Sequence, residues 1–169
     1  MKTMFIDGYN VINTWPNLKS VKDYSYDTAR QKLTEILQNY ATYKGYKIFI
    51  VFDAHMVQGN VGKRENLENI IVVYTKEGET ADNYIEKSID RIGKKSDVCV
   101  VTSDSLEQQI SFQRGAIRMS SLELYFEIEE INQRIMKKAK NEYAKQRNPV
   151  QERLEKEVLE KLEKIRRSH

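Results

Sequence analysis

The 169-residue sequence predicts an α/β fold, with a mostly parallel central sheet of about five strands and long C-terminal helices. Short apolar runs rich in β-branched residues are typical of strands that are buried on both faces. Segments with apolar residues at helical spacing lie between these runs, and strands that alternate with helices form a parallel sheet. From Ser120 onward the pattern is helical to the end. The sequence therefore predicts a sheet with helices between its strands, followed by a helical tail.

The strands are predicted from four continuous apolar runs and a shorter fifth one. The runs are Met4–Ile6, Ile48–Phe52, Ile70–Tyr74, Val98–Val101 and Ala116–Ile117. The single cysteine, Cys99, lies inside the fourth run, where we interpret it as a small buried side chain and not as a reactive thiol. One cysteine also excludes a disulfide framework and a metal site made of cysteines.

Helices are predicted where apolar residues recur at three- and four-residue spacing. The segments 29–40 and 81–89 follow this period, and residues 105–112 form a shorter helix with Asp104 or Ser105 as its cap. Ser120-Ser121-Leu122-Glu123 matches a capping box at the start of a long amphipathic helix. We predict that Asn148-Pro149 ends this helix. The resulting domain covers residues 1–147, and residues 148–169 form an amphipathic helix packed on the domain or on a partner.

Composition places the chain among ordinary globular proteins. The formal net charge is +3, and 31% of the residues are charged. No apolar run approaches the roughly 20 residues of a membrane span, and the apolar stretch at the start is too short for a signal peptide. We therefore expect a cytoplasmic protein that does not contact a membrane.

Four aspartates carry the chemical signal of the sequence. Asp7, Asp53 and Asp104 each follow an apolar run, and Asp82 lies in the first turn of a predicted helix. Because the carboxyl ends of parallel strands meet at one edge of a sheet, we expect the four carboxylates to lie close together. Crowded carboxylates repel one another unless a cation lies between them, and oxygen ligands suit Mg²⁺ or Mn²⁺. The sequence thus predicts metal-dependent phosphate chemistry.

Each acid also has a simpler interpretation. Asp7 is compatible with a turn before Gly8, Asp104 with helix capping, and Asp82 with the favourable charge at the start of a helix. Asn10 is a candidate for orienting a ligand or a metal-bound water, while His55 beside Asp53 is more typical of a surface or capping histidine. The sequence contains no phosphate-binding loop, no dinucleotide-binding glycine motif and no paired-histidine zinc motif. These absences argue against nucleotide-triphosphate, dinucleotide and zinc chemistry.

The four aspartates lie in the segments Phe5-Ile6-Asp7-Gly8-Tyr9-Asn10, Val51-Phe52-Asp53-Ala54, Glu79-Thr80-Ala81-Asp82 and Val101-Thr102-Ser103-Asp104. In this order and spacing, the four segments resemble the signatures of the NYN domain, a relative of the PIN and FLAP nucleases, in its bacterial YacP-like branch. The resemblance covers nearly the whole chain and implies a PIN-like three-layer fold with endoribonuclease activity on single-stranded RNA. It further implies Asp7 and Asp82 as indispensable residues, Asp53 and Asp104 as further ligands of Mg²⁺ or Mn²⁺, and assistance from Asn10.

The same resemblance implies an enzyme that enters the ribosomal A site and cuts mRNA during translation. Residues 134–147 contain six bases and one acid, which is either a solvated helix face or a contact for phosphates. With the resemblance, this stretch and two arginines around Gly115 become the predicted surface for messenger or ribosomal RNA. Its residues are Arg114, Arg118, Arg134, Lys137, Lys138 and Lys140. Tyr9, Trp15 and Tyr43 are candidates for base stacking, although at least two of them are better explained as core or groove residues.

Two other classes of protein are alternatives to a nuclease. A phosphoacceptor receiver domain would use Asp53, but it pairs two acids after the first strand and places a lysine after the last, whereas Gly8-Tyr9 and Arg118-Met119 stand there. A non-catalytic RNA- or ribosome-binding protein of the same fold remains the alternative. In either case a monomer is the favoured state.

Overall fold

A computed structural model describes residues 1–56, 59–93 and 97–168. Within these residues the chain forms six strands, six α-helices and a short 3₁₀ turn at Ala54–Met56. The strands are β1 (Thr3–Asp7), β2 (Lys47–Phe52), β3 (Arg64–Leu67), β4 (Ile70–Tyr74), β5 (Val98–Val101) and β6 (Ile117–Met119). The helices are α1 (Gly8–Thr14), α2 (Pro16–Lys22), α3 (Tyr26–Lys44), α4 (Ala81–Ile92), α5 (Ser105–Gln113) and α6 (Ser121–Arg167).

The strands form one sheet in the order β3-β4-β2-β1-β5-β6. All neighbouring pairs are parallel except β3 and β4. The chain builds the sheet outward from β1 through β2 to β4, and then returns to add β5 on the other side of β1. The strand order therefore reverses between β1 and β5, which is where open parallel sheets bind their ligands. The predicted α/β fold with a mostly parallel sheet is confirmed.

The antiparallel edge strand β3 was not predicted. All four of its residues are exposed, and its sequence Arg-Glu-Asn-Leu has neither a continuous apolar run nor clear alternation. An edge strand that contributes no side chain to the core leaves no hydrophobic signal in the sequence. The short helices α1 and α2 were also missed.

The core consists of two layers of side chains, one on each face of the sheet. Phe5, Val51 and Val100 pack with Ile85 and Ile89 of α4 on one face. Met4, Ile6 and Ile50 alternate with these residues along β1 and β2, and they are fully buried on the opposite face, where α1 and α3 contact the sheet. Both faces of the sheet are covered, which explains why the strand sequences are continuous apolar runs. The predicted three-layer arrangement is therefore present.

The long helix α6 begins as predicted but does not end at the predicted position. The Glu123 N–H donates to Ser120 Oγ at 3.1 Å and the Ser120 N–H donates to Glu123 Oε2 at 3.2 Å, so the capping box is formed. The helix then continues through Pro149. Proline has no N–H, so one hydrogen bond of the helix is missing at this position. The helix is exposed here, and water can bind the carbonyl group that would otherwise accept this hydrogen bond.

The chain divides into two compact units, Met1–Glu127 and Ile128–His169. The first unit holds the sheet and helices α1 to α5, and the second is helical. The domain boundary between residues 147 and 148, and the packing of the last helix on the domain or on a partner, stay predictions. Among the helices of the described ranges, none is both long enough and apolar enough to cross a membrane.

Candidate metal centre

Three carboxylates meet beside the point where the strand order reverses. Asp7 is the last residue of β1, Asp82 lies in the first turn of α4, and Glu107 lies in the first turn of α5. Each offers an oxygen atom, and these atoms all lie within 4.8 Å of one another. We call Asp7, Asp82 and Glu107 the acidic cluster. The structure thus brings together two of the predicted aspartates with a glutamate that was not predicted.

Glu107 is the buried member of the cluster. It is only 5% exposed, and neither carboxylate oxygen has a hydrogen-bond partner among the described residues. Burial is the main reason that the pKa of Glu107 rises to about 9, and the neighbouring Asp82 and Asp7 carboxylates contribute to this rise. A buried carboxylate without a partner is unfavourable unless it is protonated or accompanied by a positive charge. This side chain therefore fits a cation ligand.

Asp7 experiences the combined charge of the site. Burial is the main reason that its pKa rises to about 6. The Asn10 N–H, which donates to Asp7 Oδ1 at 3.3 Å, lowers this pKa, whereas the Asp82, Asp53 and Asp104 carboxylates raise it. The predicted convergence of negative charge at this sheet edge is therefore visible at Asp7.

The other two predicted aspartates make local backbone contacts and are not part of the acidic cluster. Asp53 Oδ1 accepts a hydrogen bond from the His55 N–H at 3.0 Å. Asp104 Oδ1 accepts from the Leu106 N–H at 2.9 Å and from the Glu107 N–H at 3.2 Å, and so caps α5. Asp104 thereby fixes the turn that carries Glu107. Direct metal binding by Asp53 and Asp104 stays a prediction.

Asn10 connects three segments of the chain. Its Oδ1 accepts from the Ser103 N–H at 2.9 Å and from Ser121 Oγ at 2.5 Å. These bonds join the start of α1 to the segment after β5 and to the start of α6. The side-chain oxygen of Asn10 is therefore used within the protein, and its predicted role in orienting a ligand stays a prediction.

Gly8 allows β1 to turn directly into α1. A Cβ atom at this position would lie 2.3 Å from a ring carbon of Phe52. Phe52 itself is fully buried and stacks on Tyr74 at a centroid distance of 5.7 Å, so its ring has little room to move. Only glycine fits between Asp7 and the rest of α1 without displacing this packing.

The sequence contained a weak signal for Glu107. Asp104-Ser105-Leu106-Glu107 has the spacing of a capping box, in which the glutamate ordinarily turns back toward the cap. Here the Asp104 cap is formed, but Glu107 is buried in the acidic cluster. Its position four residues before the buried Ser111 indicates an inward-facing side of α5. Charge alone did not distinguish it from a surface acid in the first turn of a helix.

The predicted RNA-binding residues differ in the contacts that their side chains make within the chain. Arg114 is paired with Asp90 and Glu86 of α4. The Arg118 guanidinium lies 5.1 Å from the ring centre of Phe112, and Arg134 pairs with Glu130 at 2.6 Å. Lys137, Lys138 and Lys140 are exposed. RNA binding by any of these residues stays a prediction.

The candidate stacking residues are mostly part of the core. Tyr9 is 7% exposed and accepts a hydrogen bond from Arg30 Nη1 at 3.2 Å. Trp15 is 1% exposed, and its Nε1 donates to the Ser121 carbonyl at 2.7 Å. Tyr43 is about half exposed. The expectation that at least two of the three residues are structural is confirmed.

Comparisons with known proteins agree with this architecture. Residues 4–167 match the YacP-like NYN domain. The chain is 38% identical to the uncharacterized protein YacP of Bacillus subtilis over 168 residues, covering 99% of this chain and 98% of that protein. A crystal structure of Rae1 (YacP) from Bacillus subtilis matches with a TM-score of 0.73 and 38% identity, over 99% of this chain and 95% of that one. A mutant of the same protein matches with a TM-score of 0.71 and 37% identity, over 82% and 81% of the two chains.

Proposed function

We propose that this chain, which belongs to the YacP-like NYN domain family, is a metal-dependent endoribonuclease that cleaves mRNA in the cytoplasm. The proposal is supported first by the acidic cluster, in which the oxygen atoms of Asp7, Asp82 and Glu107 lie within 4.8 Å of one another. The nuclease-like character of the family and the PIN-like fold agree with this chemistry.

The donor set of the cluster fits a hard divalent cation. Carboxylate oxygens suit Mg²⁺ or Mn²⁺, and the buried Glu107 has no hydrogen-bond partner that would compete for its oxygens among the described residues. We propose that Asp7, Asp82 and Glu107 hold this cation, with Asp53 and Asp104 close enough to add negative charge. A bound cation would supply Lewis-acid chemistry for hydrolysis of a phosphodiester bond.

Hydrogen bonds within the protein fix the chain segments whose carboxylates would hold this cation. The Asn10 N–H holds the Asp7 carboxylate at the end of β1, and the Asp104 cap fixes the first turn of α5. Asp82 lies at the start of α4, where Thr80 caps the helix by accepting from the Asn83 N–H at 3.2 Å. Three rigid element ends therefore position the three carboxylates, and little rearrangement is needed when a cation binds.

We further propose that the substrate is mRNA on the translating ribosome, cut in the A site. Support comes from the family resemblance and from the exposed bases of α6, Lys137, Lys138 and Lys140, which offer positive charge to a phosphate backbone. A chain of 19.9 kDa with its site on one sheet edge is small enough to act inside a larger assembly.

The test is mRNA cleavage in a reconstituted translation system containing Mg²⁺, with and without ribosomes, followed by mapping of the new 5′ ends. The wild type is compared with Asp7→Asn and Asp82→Asn, which keep the side-chain shape and remove the charge. Asp97→Asn is the matched control, since Asp97 is exposed at the opposite end of β5. We expect cleavage by the wild type and the control only, and only with ribosomes.

Two results would change the assignment. Equal cleavage of naked mRNA at the same positions would remove the ribosome from the proposal while leaving the nuclease. Absence of cleavage by all four proteins, under conditions where the wild type binds ribosomes, would favour the non-catalytic RNA- or ribosome-binding protein.

A further inference from the structure

The residues predicted to stack on RNA bases are mostly buried, but an exposed aromatic ring lies elsewhere on the chain. Phe112, in the last turn of α5, is 61% exposed. The Arg118 guanidinium of β6 lies over this ring, at 5.1 Å from its centre. Among the exposed aromatic rings of the described residues, only that of Phe112 has a cation over it. The pair therefore differs from an isolated apolar side chain on the surface.

The turn between α5 and β6 holds the two residues near each other. The Gly115 N–H donates to the Phe112 carbonyl at 3.0 Å, and the Ala116 N–H donates to the Ser111 carbonyl at 3.0 Å. These two bonds form a Schellman motif, and Gly115 adopts the positive φ, 92°, that the motif requires. Ala116 is buried and leads directly into β6, which pairs with β5. Backbone hydrogen bonds therefore fix the segments that carry Phe112 and Arg118.

The charge of Arg118 is available for a ligand. Its side chain is exposed, and it forms no salt bridge with any carboxylate of the residues that the structure describes. Arg114 is instead paired with Asp90 and Glu86. A guanidinium that stacks on an aromatic ring keeps N–H groups that can bind a phosphate, and its flat surface can accept a nucleic-acid base. The ring and the guanidinium together therefore suit one nucleotide with its phosphate.

The helix that carries Phe112 also carries one member of the acidic cluster. Glu107 and Phe112 are five residues apart, which is about 7.5 Å along the axis of α5. Glu107 is buried, whereas Ser105, Gln109 and Phe112 are exposed and recur at helical spacing. This exposed side of α5 begins at the turn that Asp104 caps. An RNA strand that follows it would run from the region of the acidic cluster to Phe112.

We infer that Phe112 and Arg118 form a stacking site for one base of the RNA substrate, with the Arg118 guanidinium binding the adjoining phosphate. The inference rests on the proposed function, because it follows the substrate of the acidic cluster away from the cation. Every base has a flat aromatic face, so the site contributes affinity without selecting a sequence. Part of the affinity then depends on the bases and part on the phosphates, and the two parts can be measured separately.

The test is the affinity of the full chain for two short single-stranded probes, measured by fluorescence anisotropy. One probe is oligo(U), and the other is an abasic RNA of the same length, which has the phosphates but no bases. Every protein, including the reference, carries Asp82→Asn so that the RNA is not cleaved. Phe112→Leu keeps an apolar side chain and removes the aromatic face. We expect it to weaken binding of oligo(U) by at least about fivefold and to leave binding of the abasic probe unchanged.

Two further variants separate the ring from the charge. Arg118→Gln should weaken binding of both probes and lower the salt dependence of affinity by about 0.7 log units per log unit of salt, because one phosphate contact is lost. Phe112→Leu should leave this slope unchanged. Phe126→Leu is the matched control, since Phe126 is 64% exposed and no cation lies over its ring in the described part of the chain. It should bind both probes as the reference does, and circular dichroism verifies that all variants keep their fold.

The outcomes distinguish this inference from the nuclease assignment. Undiminished binding of oligo(U) by Phe112→Leu overturns the stacking site and favours a contact with another protein at this ring. Equal weakening on both probes overturns it as well, because the loss would then not depend on the bases, and so does a reference that does not bind oligo(U). If the expected differences are found but the wild type cleaves no RNA, the stacking site stands in a non-catalytic RNA-binding protein.

Discussion

A carboxylate oxygen of Glu107 lies within 4.8 Å of one from Asp7, although one residue belongs to the first turn of α5 and the other ends β1. The two elements are adjacent because β5, which leads into α5, pairs directly with β1. Glu107 thus places a buried carboxyl group beside the aspartate that the sequence already indicated. The three residues Asp7, Asp82 and Glu107 therefore describe the site better than the four predicted aspartates do.

Glu107→Gln should weaken metal binding. The amide preserves the shape of the side chain but removes the charge that a divalent cation needs, and we expect a loss of at least about tenfold in Mn²⁺ affinity. Mn²⁺ titration followed by electron paramagnetic resonance measures this affinity directly, without depending on RNA cleavage. Glu77→Gln, an exposed turn residue, is the matched control. Undiminished affinity in Glu107→Gln would remove Glu107 from the ligand set.

Stability without divalent cations should fall as the pH rises. Burial raises the pKa of Glu107 from 4.5 to about 9, and that of Asp7 from 3.8 to about 6. In the pH range between each pair of values, the folded protein holds a proton that the unfolded chain has released. The contribution of these two groups to the free energy of unfolding therefore declines from about pH 4 upward, first through both groups and then through Glu107 alone up to about pH 9.

Thermal unfolding in EDTA between pH 5 and pH 8 checks this sign. We expect the melting temperature to fall across the range in the wild type and to fall less in Glu107→Gln, whose amide does not titrate. Added Mg²⁺ should stabilise the wild type most at the alkaline end, because cation binding requires deprotonated carboxylates. A melting temperature that rises steadily with pH in EDTA would contradict the assigned environment of Glu107.

Gly8→Ala should destabilise the fold at the start of α1. The new methyl group would meet the Phe52 ring, which has to shift against Tyr74 and Tyr9, and we expect a loss of about 1–3 kcal/mol in the free energy of unfolding. Urea denaturation measures the loss. Phe52→Leu in the same chain frees space, so the double variant should lose less than the sum of the two single losses. Strict additivity would show that the two residues do not clash.

Exposed lysines and the paired arginine should differ in their effect on RNA binding. Lys137→Ala combined with Lys138→Ala should reduce the salt dependence of single-stranded RNA affinity by about 1.4 log units per log unit of salt, if each lysine neutralises one phosphate. Arg114→Gln should change it little, because Asp90 and Glu86 already offset the Arg114 charge. Fluorescence anisotropy at several NaCl concentrations gives both slopes. Equal slopes for the wild type and the double lysine variant would place RNA elsewhere.

The parts of the fold that depend on burial were predictable from the sequence. Strands β1, β2, β4 and β5 are covered on both faces, so their apolar runs were visible, and the parallel topology then placed Asp7 at the correct edge. Strand β3 lacked this signal because none of its side chains is buried. At Pro149 a local rule was misleading, since an exposed helix tolerates the loss of one hydrogen bond.

The site was only partly predictable for a different reason. Asp7 and Asp82 could be placed from strand ends and helix starts, but burial of Glu107 depends on how α5 packs beside β1 and α4. That packing is a tertiary property, and a glutamate in the first turn of a helix is far more often a surface residue. Asp104 was predicted both as a cap and as a ligand, and its cap is present.

The hydrogen bond between Asn10 and Ser121 links positions that are 111 residues apart. During synthesis, β1 and α1 exist long before Ser121 has been added, and Trp15 likewise lacks its partner carbonyl until then. Long-range contacts of this kind form late in folding, because the intervening chain must first be brought together. During synthesis, the sheet edge that carries Asp7 therefore cannot form completely until most of the chain has been made. Fragments that end before α6 should lack a fully formed site.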